Sequence, residues 1–307
     1  MTAHGAYNSR MHPDNLPRGA ALVIAAALLF ATTGAIIKHI AVTLPNEMVV
    51  FFRSLFGLLA LAPFFVRHGA RYYATRRLGA HLVRALAGLA AMYCYFYAIG
   101  HLPLAEAVLL NYTAPLFIPF AALFWVGEPF SARLWWPIGI GFVGIGLILK
   151  PGLSLLAPIA LIGLASGMFS ALAMAGIRKL TDTEPATRVV FYFSLTCTLV
   201  AALPLAWRWQ TPAPELWVPL VLTGVLSTVA QILMTRGYSH APAAQVGPFL
   251  YAIVVFAALL GWAFWGEIPD WLSLAGTLLV VLAGIVAIHM GGRRTAPPAE
   301  VPSEARR

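Results

Sequence analysis

Charged residues are scarce in this sequence. Of its 307 residues only 10% are Asp, Glu, Lys or Arg, whereas 60% are hydrophobic. A soluble protein of this length carries about 25% charged residues because its surface must face water. Cysteine is scarcer still: Cys94 and Cys197 both lie inside apolar runs, where we expect small core residues without disulfide or metal chemistry. The composition predicts a polytopic membrane protein.

Several motifs of enzymes and nucleic-acid-binding proteins are also missing. The chain has no Gly-x-x-x-x-Gly-Lys-Ser/Thr loop for ATP, no His and Cys cluster with metal spacing and no Gly-x-Ser-x-Gly motif. We therefore expect no catalytic residue, no cofactor and no metal site. The net charge of +9 would suit nucleic acid, but the basic residues are scattered among the connections between apolar runs. A nucleic-acid partner is accordingly not expected.

What the sequence does contain is an internal repeat of about 140 residues. The two halves match without gaps over long stretches, and the same residue types recur in both. The matched positions are, at a shift of 139, His101/His240, Pro103/Pro242, Tyr112/Tyr251 and Glu128/Glu267, and, at a shift of 140, Ile37/Ile177, Pro45/Pro185, Phe51/Phe191 and Ser54/Ser194.

Ten apolar windows are candidates to cross the bilayer, five in each copy, with the fifth window short. Copies with an odd number of spans enter the membrane from opposite sides, which is typical of secondary transporters. The sequence thus predicts an all-α membrane protein of ten transmembrane helices in two inverted five-helix repeats, 19–150 and 156–290, between disordered cytoplasmic tails at 1–18 and 291–307. The windows are 19–41, 46–66, 82–100, 104–125, 135–149, 156–177, 187–206, 217–237, 242–264 and 271–290.

The distribution of basic residues predicts the orientation. With both termini on the cytoplasmic side, 16 of the 20 Lys and Arg residues fall at inner ends of spans or in the tails. The other four, Lys38, Arg53, Lys150 and Arg208, lie outside or within the membrane. Because cytoplasmic connections carry the excess of Lys and Arg, we expect a multi-pass protein of the cell (inner) membrane with both ends in the cytoplasm.

Several segments resemble the EamA-type ten-helix members of the drug/metabolite transporter superfamily. The resemblance covers about residues 19–290 and implies a carrier for a small organic solute, without specifying the solute. Similar proteins include exporters of amino acids and their derivatives, and importers that look like S-adenosylmethionine carriers. The segments that carry it are Phe51-Phe52-Arg53, His81-Leu82-Val83-Arg84, Ala105-Glu106-Ala107-Val108 through Pro115-Leu116-Phe117, Gly127-Glu128-Pro129, Lys150-Pro151-Gly152 and Val246-Gly247-Pro248-Phe249 through Gly266-Glu267.

Polar side chains at membrane depth are the candidate substrate-binding residues. Arg53 lies about eight residues into the second span, where a charge costs about 2.5–3.5 kcal/mol. Its repeat equivalent is Phe193, so the shared architecture does not require a cation there. Arg53 is predicted either to bind an anionic substrate group or to reach towards the interface beside Glu47.

Polar and aromatic stripes on the third, fourth, eighth and ninth spans complete the candidate site. If inverted repeats bind their substrate at the interface near the midplane, these faces line one cavity. The alternative is that they only join helices through hydrogen bonds of about 0.6 kcal/mol each. The residues are Tyr93 and Tyr97, Asn111 and Tyr112, Gln231 and Thr235, and Gln245 and Tyr251.

The sequence therefore predicts a secondary transporter that moves a small organic metabolite, with the amino acid or derivative class favoured, by alternating access. An S-adenosylmethionine-like or other drug/metabolite carrier of the same fold is the alternative. Rivals of other classes are an intramembrane enzyme acting on lipid and a passive pore. Partners expected are the substrate, the bilayer and either a proton or an exchanged solute. The sequence does not choose the coupling, the direction of transport or the oligomeric state.

Overall fold

The computed structural model of the protein describes residues 16–121, 135–149, 157–181, 183–240 and 247–292, and the regular structure in these ranges is helical. Most of the two predicted tails lies outside the described residues. The helices are α1 (Leu16–Ile40), α2 (Asn46–Ala60), α3 (Ala62–His68), α4 (Leu78–His101), α5 (Leu104–Asn111), α6 (Ala114–Ala121), α7 (Trp135–Leu149), α8 (Ala157–Thr181), α9 (Ala186–Ala202), α10 (Leu205–Arg208), α11 (Trp217–His240), α12 (Ala252–Trp265) and α13 (Trp271–Gly292).

Five of the predicted spans are long apolar helices and five are shorter apolar helices. The long ones are 16–40, 46–67, 78–101, 158–177 and 214–234. The shorter ones, of 10–17 residues, are 104–118, 135–148, 187–202, 249–265 and 271–286. They correspond one by one to the ten predicted windows. The all-α fold of two five-helix repeats is therefore confirmed.

The fourth and ninth spans are not single α-helices over their described lengths. The fourth is interrupted at Tyr112 between α5 and α6, and the ninth begins with a 3-10 helix, Gly247–Tyr251, before α12. Pro115 and Pro248 stand near these interruptions, and proline has no N–H with which to continue an α-helix. Both interruptions include the same repeat position, because Tyr112 and Tyr251 are 139 residues apart.

The helices pack as a pseudo-twofold arrangement. Spans three and six (α4 and α8) pack together, as do their repeat equivalents, spans eight and one (α11 and α1). Spans two and seven (α2 and α9) meet each other, and so do spans five and ten (α7 and α13). The interface between the repeats therefore runs through the middle of the bundle.

Spans five and ten approach each other through glycine. A Cβ atom on Gly276 would lie 2.6 Å from the carbonyl oxygen of Gly144, and one on Gly144 would lie 2.8 Å from the carbonyl oxygen of Gly276. Small residues allow such close backbone contact in membranes, where packing rather than the hydrophobic effect drives helix association. This contact holds the fifth and tenth spans together at one side of the bundle.

We expect Gly276→Val to separate α7 from α13, because the added side chain would overlap the Gly144 carbonyl. Overpacking of this kind costs about 1–3 kcal/mol, measurable as a lower thermal unfolding midpoint in detergent. Gly139→Val is the matched control, since a Cβ at Gly139 meets no atom within 4 Å. Equal midpoints for the two variants would contradict the close contact.

Candidate functional site

A cavity of about 380 Å³ lies between the two repeats. Its walls come from spans one to four of the first repeat and from spans six to nine of the second, and none of the side chains described on spans five and ten lines it. Most of the lining is apolar or aromatic, including Phe30, Tyr95, Phe96 and Phe193. A largely apolar cavity with a few polar groups is the usual form of a small-molecule site.

Five of the predicted site residues line this cavity: Arg53, Asn111, Tyr112, Gln231 and Tyr251. They come from spans two, four, eight and nine, so the structure brings together residues that are distant in sequence. Two other predicted residues are not available for comparison. Gln245 lies outside the described residues, and for Thr235 only the backbone position on α11 is described.

Tyr93 and Tyr97 lie elsewhere, which corrects their predicted position on the cavity wall. Tyr97 is exposed, and its ring stacks on His101 with 4.2 Å between the ring centres. The Tyr93 backbone carbonyl accepts a hydrogen bond from Asn46 Nδ2 (2.9 Å). The cavity face of α4 instead carries Tyr95, because a residue two positions away on a helix points to a different side.

The two tyrosines at the interrupted spans meet across the repeat interface. The Tyr251 hydroxyl donates to the Tyr112 carbonyl oxygen (3.4 Å), a group that the break in the fourth span leaves exposed. Gly284 of α13 makes room for Tyr251, since a Cβ there would overlap the tyrosine hydroxyl. Ser170 Oγ donates to Asn111 Oδ1 (3.0 Å) and holds that amide at the cavity wall.

Arg53 extends into the cavity and does not pair with Glu47. Its Nη1 group donates to the Met92 sulfur (3.0 Å), which is a weak acceptor, and its buried Nε has no hydrogen-bond partner among the described residues. Glu47 instead lies 3.9 Å from Arg208. The structure therefore does not place Arg53 at the membrane interface beside Glu47, which was the alternative prediction.

A second arginine, Arg84, also lines the cavity, although the distribution of basic residues predicts that it lies at the cytoplasmic end of a span. It is only 7% exposed, and its guanidinium carbon lies 3.8 Å from the centre of the Phe193 ring. Its buried Nε and Nη1 atoms have no hydrogen-bond partner in the described part of the chain. The predicted third span began at residue 82, so Arg84 was interpreted as a charge at the end of a helix. The helix in fact begins at Leu78.

A small side chamber of about 30 Å³ adjoins the main cavity and shares both arginines with it. Four hydroxyl-bearing residues line this chamber: Ser54, Ser194, Ser227 and Thr228. The side chamber thus combines the two arginines and four hydroxyl groups with the Phe193 ring, while the main cavity carries most of the aromatic rings. Such a division suits a ligand with an anionic end and an apolar body.

At one end of the bundle an ion pair joins the repeats. Lys38 Nζ lies 2.5 Å from Glu267 Oε1 and donates to the Leu102 carbonyl oxygen (2.6 Å). Glu267 Oε2 accepts a hydrogen bond from the Leu104 backbone N–H (2.7 Å). The Lys38 and Glu267 side chains are 11% and 20% exposed. We call these contacts the Lys38–Glu267 network.

At the opposite end Glu184 is the centre of a second network between the repeats. Its carboxylate accepts hydrogen bonds from Thr75 Oγ1 (2.7 Å) and Arg188 Nη1 (2.5 Å), and Arg188 also donates to the Tyr72 carbonyl oxygen. Burial alone would raise the pKa of Glu184. The bonds from Thr75 and Arg188, with the positive charge of Arg188, outweigh burial and hold this pKa below its usual value. We call these contacts the Glu184 network.

Two repeats of apolar helices around a central, partly polar cavity define a multi-pass membrane transporter. Comparison with known families agrees: residues 17–150 and 157–289 each match the EamA-like transporter family. The chain belongs to this family, within the drug/metabolite transporter superfamily.

Relatives with a known role are transporters. The pseudopaline exporter CntI of Pseudomonas aeruginosa is 38% identical over 276 residues, which cover 89% of this chain and 96% of the relative. A riboflavin transporter of Vibrio cholerae is 26% identical over 87% of this chain and 91% of its own. An S-adenosylmethionine uptake transporter of Rickettsia bellii is 25% identical over 82% and 87%.

The fold also recurs in a solved crystal structure. That structure aligns with 91% of this chain and 99% of its own, with a TM-score of 0.62 and 20% identity. At this identity the likeness concerns the fold alone.

We expect Glu184→Gln to lower the thermal unfolding midpoint at neutral pH. Loss of bonds to a charged group costs about 1–3 kcal/mol. Because the folded-state pKa of Glu184 is depressed, its contribution is complete above the ordinary carboxyl pKa and disappears as pH falls through the folded-state value. The difference in thermal unfolding midpoint between variant and wild type should therefore disappear as the pH is lowered.

The matched control is Glu215→Gln, which changes an exposed carboxylate and should leave the midpoint unchanged within about 0.5 kcal/mol. A gap for Glu184→Gln that stays constant from about pH 7 to about pH 3 would contradict the role of the ionised carboxylate.

Proposed function

We propose that this protein moves a small organic metabolite with an anionic or zwitterionic group, such as an amino acid or a derivative of one, out of the cell by alternating access. The observation that carries the proposal is the cavity between the repeats, lined by four spans of each copy and containing the half-buried Arg53. A guanidinium offers a planar fork of donors that matches a carboxylate.

The chemistry of the cavity supports an amphipathic substrate. Arg53 and Gln231 supply polar contacts, while Tyr95, Tyr112 and Tyr251 provide aromatic surfaces with a hydroxyl group. An apolar metabolite would leave the arginine unpaired at a cost of several kcal/mol. An inorganic ion would leave most of the 380 Å³ unused.

Outward transport is supported by the pseudopaline exporter, which is 38% identical, against 25% for the S-adenosylmethionine uptake transporter. The excess of Lys and Arg supports cytoplasmic termini in the cell (inner) membrane. With this orientation the Lys38–Glu267 network lies on the outer side and the Glu184 network on the inner side.

In the proposed mechanism the repeats 19–150 and 156–290 rock against each other around the central cavity. Opening to the outside breaks the Lys38–Glu267 network, and opening to the inside breaks the Glu184 network. Each network joins one repeat to the other, so each would have to separate when the substrate passes its end of the bundle.

Flux measurements in proteoliposomes separate a carrier from the rival classes. A carrier gives saturable counterflow of a labelled metabolite, a pore gives flux linear in concentration, and an enzyme releases a changed product. The metabolite for the assay comes from a thermal-shift screen of the purified protein, because a bound ligand stabilises the folded state by mass action.

We expect Arg53→Ala to lower counterflow at limiting substrate by roughly 10- to 100-fold, because a hydrogen bond to a charged group contributes about 1.5–3 kcal/mol. Tyr97→Ala is the matched control, since Tyr97 stacks on His101 away from the cavity and should retain counterflow. Intact transport by Arg53→Ala would remove the proposed role of this arginine.

We expect Glu267→Gln to favour the conformation that is open to the outside. Loss of the charge of Glu267 weakens its bonds to Lys38 and Leu104. A loss of about 1.5–3 kcal/mol shifts a two-state balance by roughly 10- to 100-fold. The readout is labelling of Ala173→Cys, a cavity position, by an impermeant maleimide added outside to protein without its two native cysteines.

Glu215→Gln is the matched control for this experiment as well, because it removes an exposed carboxylate and should not change the labelling rate. If Glu267→Gln labels no faster than this control, the ion pair does not hold the outer side closed.

A further inference from the structure

We propose that Arg53 and Arg84 together form a subsite for a substrate group that carries two negative charges. The group is either a pair of neighbouring carboxylates or a phosphate monoester. This inference rests on the proposed transport function and narrows its substrate class from anionic or zwitterionic to dianionic at one end.

The two arginines reach the same space from neighbouring helices. Arg53 belongs to α2 and Arg84 to α4, and both line the main cavity as well as the side chamber. Their positive charges repel each other across this space. The chamber of about 30 Å³ admits about two water-sized atoms, which is the size of the two oxygens of one carboxylate.

No carboxylate of the described residues balances these charges. None of the six described Asp and Glu residues lines either space. The nearest candidates by position are engaged elsewhere, Glu47 beside Arg208 and Glu184 with Arg188. Arg84 is buried and Arg53 is half-buried with a buried Nε atom. A cation shielded from water needs a partner, so we expect two negative charges beside this pair. A monoanion would neutralise only one of the two arginines.

The architecture of the repeats does not require this pair. At the shifts of 139 and 140, Arg53 corresponds to Phe193, and Arg84 corresponds to Thr223 or Gly224. The second repeat therefore builds the same helices with no charge at these positions. This asymmetry points to the ligand as the reason for both arginines.

The Arg84 guanidinium is held in place while its donors stay available. It lies over the Phe193 ring at 3.8 Å, and Gly88 allows the ring to approach, because a Cβ there would lie 2.7 Å from the ring. The ring favours the cation but offers no hydrogen-bond acceptor of the usual kind. Phe193 is thus a positioning residue, and the buried Nε and Nη1 atoms of Arg84 have N–H groups without an acceptor among the described residues.

The test measures binding of three small probes to the purified full-length protein at constant ionic strength and neutral pH. Succinate is the dicarboxylate probe, inorganic phosphate is the phosphate probe, and butyrate is the monocarboxylate of matched length. Calorimetry should give tighter binding of succinate or phosphate than of butyrate. The tighter of the two dianions identifies the source of the double charge.

Arg53→Gln and Arg84→Gln should each weaken the preferred dianion by roughly 10- to 100-fold, and the preference for a dianion over butyrate should largely disappear. Arg76→Gln, which changes an exposed loop arginine, should leave all affinities unchanged. Without ligand, Arg84→Gln should melt no lower than the wild type, because it removes an uncompensated buried charge. A purely structural arginine would give a lower midpoint.

Equal affinity of the wild type for succinate and butyrate, or no binding of either dianion at concentrations that saturate ordinary weak sites, would overturn the subsite. So would a dianion preference that persists in both variants. The counterflow measurement distinguishes failure of the proposed subsite from failure of the proposed transport function. Saturable transport without a preference for dianions would contradict only the proposed subsite. Binding of a dianion without transport of any metabolite would contradict only the proposed transport function.

Discussion

Two guanidinium groups held between membrane-spanning repeats, with no carboxylate partner among the residues that the structure describes, impose the strongest physical constraint on this protein. Water and protein dipoles must hydrate Arg53 and Arg84 whenever no ligand is bound, and this requirement keeps a polar chamber at one end of an otherwise aromatic cavity. Small and hydroxyl-bearing residues, such as Ser54 and Ser227, line the chamber beside Phe193 and Val190 and give the charges polar neighbours.

The pseudo-twofold arrangement of the bundle creates the cavity in which the two arginines can find polar surroundings. Spans five and ten pack through Gly144 and Gly276, and among the described residues the cavity is lined by the other four spans of each copy. The interruptions at Tyr112 and Tyr251 occur at equivalent positions and bring backbone polar groups to the cavity. Discontinuous helices at the midplane are stable in a bilayer only where protein or cavity water satisfies the freed groups.

Much of the fold followed from the sequence, because span length and the repeat are properties of the chain alone. Five residues of the candidate site, Arg53, Asn111, Tyr112, Gln231 and Tyr251, line the cavity, and their part in substrate binding stays a prediction. The incorrect predictions concern the rotation of a helix about its own axis and the depth of a residue in the membrane. An i, i+4 pair such as Tyr93 and Tyr97 defines a helix face, but only packing decides which face meets the cavity. Arg84 was missed because a shift of four residues in the start of α4 changes an interfacial charge into a buried one.

The two end networks and the two arginines together suggest why movement would depend on loading in the proposed mechanism. The networks close opposite ends of the bundle. Lys38 and Glu267 form an ion pair between the repeats, whereas at the other end hydrogen bonds from Thr75 to Glu184 and from Arg188 to the Tyr72 carbonyl join them. A state closed at both ends, however, must exclude bulk water from the cavity. For the empty carrier this leaves two positive charges poorly solvated, whereas a dianionic ligand neutralises them. The loaded carrier therefore crosses the closed state more readily than the empty one, which favours exchange over uncoupled return.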